Sequence, residues 1–191
     1  MSKASRIRVG VDDLYVAKAT LDEKTSKVTY DTPIVFGGTA SISVSQQKGE
    51  NKVFESDQMI RNYSRISGAN INYTSRTVPL AQEMDMLYSQ DAESGADGFE
   101  DGPEDVPRNC AVGWASRLSD GSYRCVWYYW CTGSKGDESY ETATESEASP
   151  TDSYDFAAMP SPETRKMRRR KIVANAEERD AFFASVLPTG T

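Results

Sequence analysis

The chain has 191 residues, a formal net charge of −7 and 38% hydrophobic residues, a composition typical of one soluble domain with a modest core and large polar loops. It contains no histidine, so a Ser-His-Asp triad, a Cys-His pair and the usual zinc motifs cannot be written. No apolar run approaches the ~20 residues that span a bilayer and no secretory signal opens the chain, so we expect an intracellularly made protein without a membrane segment. Its three cysteines are expected to be reduced thiols.

The first part of the chain predicts a meander of strands. Apolar residues alternate with polar ones from Ile7 onward and resume after Asp12-Asp13, which predicts a long strand with a bulge or bend at the two acids. Shorter predicted strands follow at 27–30, 34–36 and 39–45.

Residues 46–62 are polar and poorly periodic, and their apolar residues come as two isolated pairs. Such pairs cannot form a core of their own, and leaving one large apolar side chain unburied costs roughly 1.5–3 kcal/mol. We therefore predict a long loop over 46–62 that projects from the domain and contacts a neighbouring subunit. The candidate contact residues are Val53, Phe54, Met59 and Ile60.

The middle of the chain predicts a strand over 69–73 and then a helix that opens at Pro79. Leu80, Met84 and Leu87 fall at helical spacing and predict a core face. The acidic, Ser/Gly/Pro-rich segment that follows, about 91–108, is expected to be a solvated loop. Its carboxylates do not follow EF-hand spacing, so it resembles a calcium loop only superficially.

Residues 110–132 give the strongest signal, because Asp120-Gly121 separates two β-prone runs and predicts a hairpin with a two-residue turn. A three-residue loop with a glycine bulge would instead place Cys110 opposite Trp130. The second arm carries large residues on both faces, so one face needs a further partner, and a neighbouring subunit is a candidate. The facing pairs for a two-residue turn are Ser119–Ser122, Trp114–Trp127, Val112–Tyr129 and Cys110–Cys131.

The last part of the chain predicts two strands, at 153–158 and 165–174, and a short helix over about 175–187. Asn175 and Glu178 have the spacing of a capping box. The aromatic residues of the predicted helix are expected to dock it, with i,i+4 contacts Phe183–Leu187 and Phe182–Val186.

Charge is unevenly distributed along the sequence. Residues 91–105 and 137–152 are strongly acidic, whereas 165–171 hold six basic residues. Opposite blocks of this kind can pair between copies of one chain. Nucleic-acid or membrane binding is the rival interpretation of the basic run, but the net negative charge disfavours a phosphate backbone. The candidate intersubunit residues in this run are Arg165, Arg168 and Arg170.

The order of these features resembles that of the major tail (tail tube) proteins of long-tailed, non-contractile phages. The matching segments are RIRVGVDDLYVAKATLDEKTSKVTYDTPIVFGGTASISVS, SGANINYTSRTVPLAQEMDML, and AVGWASRLSDGSYRCVWYYW followed by SKGDESYETATES. The resemblance spans roughly residues 6–187.

The resemblance implies one tail-tube domain over 1–191: a mainly β (α+β) sandwich or barrel with a flanking helix, a projecting loop and a short C-terminal helix. It implies hexameric rings that stack into a tube through which double-stranded DNA passes. The implied partners are further copies of the chain, a tape-measure protein, and tail terminator and distal tail proteins. The implied location is the virion tail, assembled in the host cytoplasm.

We assign no catalytic, cofactor-binding or metal-ligating residue. Two alternatives from other classes remain open at the level of sequence. One is a carbohydrate-binding β-sandwich that uses Trp114, Trp127 and Trp130 as a stacking platform. The other is a hydrolase with two carboxylates fixed ~5–10 Å apart in a cleft.

Overall fold

A computed structural model gives a mainly β protein in which six strands close into a barrel and two short helices pack against it. The residues that the structure describes are 6–55, 58–77, 80–89, 98, 100–136 and 151–188. The strands are β1 (Arg8–Asp22), β2 (Lys27–Tyr30), β3 (Ile34–Glu55), β4 (Gln58–Thr77), β5 (Asn109–Leu118), β6 (Tyr123–Lys135), β7 (Asp152–Met159) and β8 (Arg168–Val173), and the helices are α1 (Leu80–Tyr88) and α2 (Ala176–Phe183).

The barrel is antiparallel, with the strand order β1-β3-β4-β7-β6-β5 and a final pairing of β5 with β1. Of the predicted sandwich and barrel, the structure is therefore a barrel. β2 extends the wall beside β1. β7 and β8 follow one another along the same edge of β6, β7 beside 130–135 and β8 beside 123–128. The predicted bulge in the first strand is present, because the β1–β5 register shifts between Val11 and Leu14.

The barrel interior is packed with aromatic rings. Phe36 makes edge contacts with Tyr154 and Phe156 at centroid distances of 5.5 and 5.9 Å, and Trp114 stacks on Tyr128 at 5.7 Å. Each fully buried ring of this size contributes roughly 1.5–3 kcal/mol to stability. Packing of these rings therefore stabilises the barrel.

Helix α1 closes one end of the barrel, called here the closed end. Its Met86 and Leu87 join the interior cluster, which confirms the predicted core face for Leu87. Asp85 pairs with Lys18 at 3.1 Å and with Arg108 at 3.0 Å. These contacts hold α1 to the ends of β1 and β5, since both partners lie at those ends.

Helix α2 packs on the outside of the barrel. Phe182 and Phe183 are buried against β6 residues, and Trp127 Nε1 donates to the Phe182 carbonyl at 3.3 Å. Asn175 caps the helix by accepting from the Glu178 amide at 2.8 Å. The helix ends at Phe183 rather than at the predicted 187, and beyond it the Ser185 hydroxyl donates to the Leu187 carbonyl at 2.7 Å.

The β5–β6 hairpin has a three-residue loop, so the predicted two-residue turn is wrong. The Leu118 amide donates to the Ser122 carbonyl at 2.8 Å, and Gly121 has φ +82°. Asp120 and Gly121 lie within this loop. Trp114 therefore faces Val126 rather than Trp127.

Cys110 nevertheless faces Cys131, as the sequence predicted. A register shift between Cys110 and Val112 moves the pairing by one residue and compensates for the longer loop. Val112 lies between the shift and the hairpin loop, and it faces Tyr128, not the predicted Tyr129.

Residues 46–55 and 58–62 form strands rather than a loop. β3 continues without interruption from the predicted short strands to Glu55, and β4 returns from Gln58. Beyond the β4–β7 pairing, which ends at Ala69, the two strands pair only with each other. Backbone pairing between the two strands therefore defines this segment, and its aperiodic sequence offers no alternation from which to predict strands. We call residues 46–68 the arm.

The predicted strand over 165–174 begins only at Arg168. A turn precedes it, in which the Arg165 amide donates to the Ser161 carbonyl at 2.9 Å. Arg165 itself has φ +57°, which is outside the extended region that a strand requires.

Candidate functional site

A cleft of about 600 Å³ lies at the barrel end opposite α1, called here the open end. Strands β1, β3, β5, β6 and β8 contribute to its walls, and apolar residues such as Val9, Val44 and Trp114 form part of its lining. The titratable residues of the lining are Arg8, Arg124, Tyr128, Arg168 and Arg170, and no Asp or Glu lines it. We call the four arginines the arginine cluster.

Strand alternation brings the cluster together. Arg168 and Arg170 of β8 pair with Tyr128 and Val126 of β6 and share their barrel-facing side. The intervening Arg169 points the other way, and its guanidinium lies over the Phe182 ring at 4.6 Å. One basic run is thus divided between the cleft and the α2 side of the sheet.

Arg168 is held in place by neutral partners. Its Nη1 donates to the Tyr128 hydroxyl at 2.8 Å, and its guanidinium carbon lies 5.7 Å from the same ring. With its amide oxygen turned toward the guanidinium, Gln46 accepts from both Nη atoms at 2.9 and 3.0 Å. These contacts orient the cation without neutralising it.

Repulsion within the arginine cluster is not relieved by an acid. Burial lowers the pKa of Arg124, and the positive charges of the other three cluster members lower it further. Within the described ranges, no carboxylate forms an ion pair with Arg8, Arg124, Arg168 or Arg170. The cleft therefore presents unneutralised positive charge in a partly buried setting.

Backbone edges near the cleft also lack partners among the described residues. β1 pairs with β3 only over Leu14–Val16, so the edge of residues 8–13 on that side is unpaired. β8 pairs with β6 alone. Beyond Gly37, β3 pairs with β4 but not with β1. Exposed strand edges of this length are templates for pairing with another chain.

The closed end has the opposite character. Both acidic segments start and finish there: 91–105 lies between α1 and β5, and 137–150 connects β6 to β7. The basic residues at this end, Lys18, Arg108 and Lys135, each pair with a carboxylate of α1. The arginine cluster therefore lies at one end of the barrel, and the described residues that flank both acidic segments lie at the other.

The structure brings together only part of the predicted contact set. Arg168 and Arg170 line the cleft, whereas Arg165 lies in the preceding turn and does not. The side chains of the four apolar candidates lie outside the described part of the structure, so their contact with a neighbouring subunit stays a prediction. Those candidates are Val53, Phe54, Met59 and Ile60.

Sequence reasoning missed Arg8, Arg124 and Gln46 as members of the site. Each stands alone in its segment, without a motif around it. Only the register of β1, β6 and β8 brings them to one cleft, and register depends on pairing between residues far apart in sequence. The one available signal was that Arg124 shares a strand face with Val126 and Tyr128.

The three tryptophans do not form a platform. Trp114 is 8% exposed in the barrel interior, Trp127 is 0% exposed against α2, and Trp130 is 7% exposed beside Ala19 and Val28. They belong to three separate clusters. A carbohydrate platform needs aromatic faces exposed side by side, so this observation counts against that alternative.

Other kinds of site find little support in the described part of the chain. No three or more Cys, Asp or Glu side chains lie together there in an arrangement that could hold a metal ion. None of the helices in the described ranges is both long and apolar enough to cross a membrane.

Comparison with known proteins gives a structural likeness but no sequence relative. No protein-family model matches the chain, and no curated protein matches it significantly. The fold is similar to a chain in the cryo-EM structure of the anti-feeding prophage (AFP) baseplate, 6-fold symmetrised, with 10% sequence identity and a TM-score of 0.37. The match covers 91% of this chain and 98% of that chain. A TM-score at this level carries no argument about function.

Proposed function

We propose that this chain is a structural, non-catalytic subunit of a phage-type tail, which assembles into rings that stack as a tube. The observation that carries the proposal is the open end of the barrel. There the four-stranded arrangement β1-β5-β6-β8 has an unpaired edge on each side within the described residues, and the arm extends beside it. A sheet with two free edges is suited to pairing with a copy on either side.

The sequence resemblance supplies the finer part of the proposal. In that assignment the subunits form hexameric rings around a lumen, the tube is assembled in the host cytoplasm on a tape-measure protein, and terminator and distal tail proteins bind its ends. Double-stranded DNA passes through the lumen without sequence-specific contacts. A net charge of −7 per subunit disfavours adhesion of DNA to the wall.

Analytical ultracentrifugation over a concentration series tests the proposal. We expect the 21.1 kDa chain to give a species of about six times its mass, or larger polymers, as concentration rises. A matched control is Lys166→Gln, which lies in the exposed turn before β8 and outside the cleft, and which should sediment as the original chain does. A single monomeric species at every concentration and salt condition would contradict the proposal.

A further inference from the structure

We infer that the arginine cluster is a receptor for the acidic segment 137–150 of a second copy, so that the open end of one subunit binds the closed end of the next. The inference rests on the proposed function, and it specifies which surfaces stack and which chemistry joins them.

The cleft is chemically matched to carboxylates. Its lining holds four arginines and no acid, and the pKa of Arg124 is lowered by burial and by the charges of the other three arginines. A carboxylate that enters the cleft relieves this repulsion and can accept two parallel N–H bonds from one planar guanidinium. Val9, Val44 and Trp114 supply apolar wall for the rest of a peptide chain.

The acidic segment offers the matching charge. Residues 137–150 contain no Lys or Arg. The same segment holds Tyr140, which suits the mixed apolar and cationic lining. Its carboxylates are those of Asp137, Glu138, Glu141, Glu145 and Glu147.

The other acidic segment, 91–105, is a weaker candidate. The carboxylate of its Asp105 already accepts from the Gly102 amide at 2.9 Å, and Ser89 binds the Val106 carbonyl next to it. These bonds hold the end of that segment close to α1.

Chain length disfavours binding of the segment in the cleft of its own copy. The segment leaves β6 at Lys135 and re-enters β7 near Tyr154, which face each other at the closed end. A connection of about 14 residues that must go out and back reaches about 25 Å at most. Arg124 lies 11 residues before Lys135 on β6, about 36 Å along the strand. The segment of the same copy can therefore reach the level of Tyr128, about 23 Å from Lys135, but not Arg124, so another copy is the better-placed source.

The resulting contact is heterologous, because the open end of one copy meets the closed end of the next. A contact of this type propagates into a filament when it does not close on itself. It is therefore suited to axial stacking of rings, while unpaired strand edges act around each ring. The arm starts at the cleft, since Gln46 contacts Arg168 there, and it continues from the cleft as a β3–β4 ribbon.

A duplex nucleic acid is the less favourable occupant. A protein of net charge −7 repels a polyanion at long range, and the arginines line a cleft rather than a convex stripe along the surface. DNA binding is kept as an outcome of the experiment.

Fluorescence anisotropy with a labelled peptide of residues 136–151 tests the inference on the full chain at dilute, monomer-favouring concentrations. We expect saturable binding that weakens as salt rises, and at least a tenfold loss in Arg168→Glu/Arg170→Glu. The matched control Arg165→Glu/Lys166→Glu changes the same charge in the turn outside the cleft and should bind within twofold of the original chain. A peptide with its five acids replaced by the corresponding amides should not bind.

A peptide of reversed charge tests whether the cleft variant is still folded and able to bind. A peptide with lysine at the five acidic positions should bind Arg168→Glu/Arg170→Glu and not the original chain. Equal loss of peptide binding in the cleft and turn variants would overturn the inference, as would cleft-dependent binding of a 20-base-pair duplex with no binding of the peptide. If the peptide binds but the chain forms no polymer, the proposed function alone is refuted. If the chain polymerises but the cleft does not bind the peptide, the inference alone is refuted.

Discussion

Burial controls the chemistry of single side chains in this barrel. Cys110 and Cys131 face each other across β5 and β6, and both thiols are free. Burial raises the pKa of Cys110 from 9.0 to about 12 and that of Cys131 well above its ordinary value. Cys125, on the α2 side, also has its pKa raised to about 12 by burial. The structure explains why these cysteines act as small core residues rather than as nucleophiles.

The cysteines should therefore resist alkylation in the folded protein. We expect iodoacetamide at pH 8 to label none of the three thiols in native buffer and all of them in 6 M guanidinium, as measured by intact mass. Fast labelling of a native cysteine would contradict the burial described here.

The same shifts have a defined effect on stability. A thiol that titrates near 9.0 when unfolded and near 12 when folded contributes stability below pH 9, and that contribution is lost as pH rises from 9 toward 12. Urea unfolding should accordingly give a steeper decline above pH 9 for the original chain than for Cys125→Ala. An identical pH profile for the two proteins would show that Cys125 does not contribute.

Arg124 is expected to lower the stability of the barrel although it belongs to the proposed binding cleft. Because it is half-buried and repelled by three other arginines, Arg124→Gln should raise the melting temperature at low salt, and the gain should shrink at 0.5 M NaCl. The control Lys166→Gln, in an exposed turn, should change little. A lower melting temperature for Arg124→Gln at low salt would indicate that its contacts outweigh the repulsion.

At the level of elements, local signals predicted most strands but not the places where they end. The long first strand, the β5–β6 hairpin and the core face of α1 follow from alternation, turn residues and helical spacing. The three-residue loop and its compensating register shift could not be predicted from local signals, because both depend on which residues pack inside the barrel. Residues 46–62 of the arm were predicted to be a loop because their sequence shows no hydrophobic alternation. Backbone pairing between β3 and β4 nevertheless makes them strands.

A close approach between α1 and β6 depends on glycine at position 133. A Cβ there would lie 2.7 Å from Leu87 Cδ2 and 2.9 Å from a ring carbon of Phe156. Gly133→Ala should lower the free energy of unfolding by about 1–3 kcal/mol, since a packed core resists added volume. Gly10→Ala, where a Cβ meets nothing within 4 Å, is the control and should stay within about 0.5 kcal/mol of the original. Equal effects of the two changes would contradict the described packing.

The arm should be dispensable for folding and required for assembly. Gly49 pairs with Arg65, so residues 50–64 can be replaced by Asn-Gly without disturbing the barrel register. The shortened protein should keep a cooperative melting transition within a few degrees of the original, while its sedimentation shows only monomer. Normal polymers from this variant would show that the arm is not an assembly contact.

On the scale of the whole molecule, charge and connectivity are arranged along one axis. The open end carries the arginine cluster, and the described residues that flank both acidic segments lie at the closed end. The sequence showed the blocks of charge and predicted that they pair between copies. It did not predict the barrel end at which the arginines come together, because that placement follows from strand directions that only the closed topology defines.

Electron microscopy of the purified chain tests the central claim most directly. In negative stain at low ionic strength and high protein concentration, we expect rings or stacked tubes with a central lumen, and fewer stacks in Arg168→Glu/Arg170→Glu than in Arg165→Glu/Lys166→Glu. Fields that contain only isolated barrels of the original chain, under conditions where the protein remains folded, would contradict assembly as the function of this molecule.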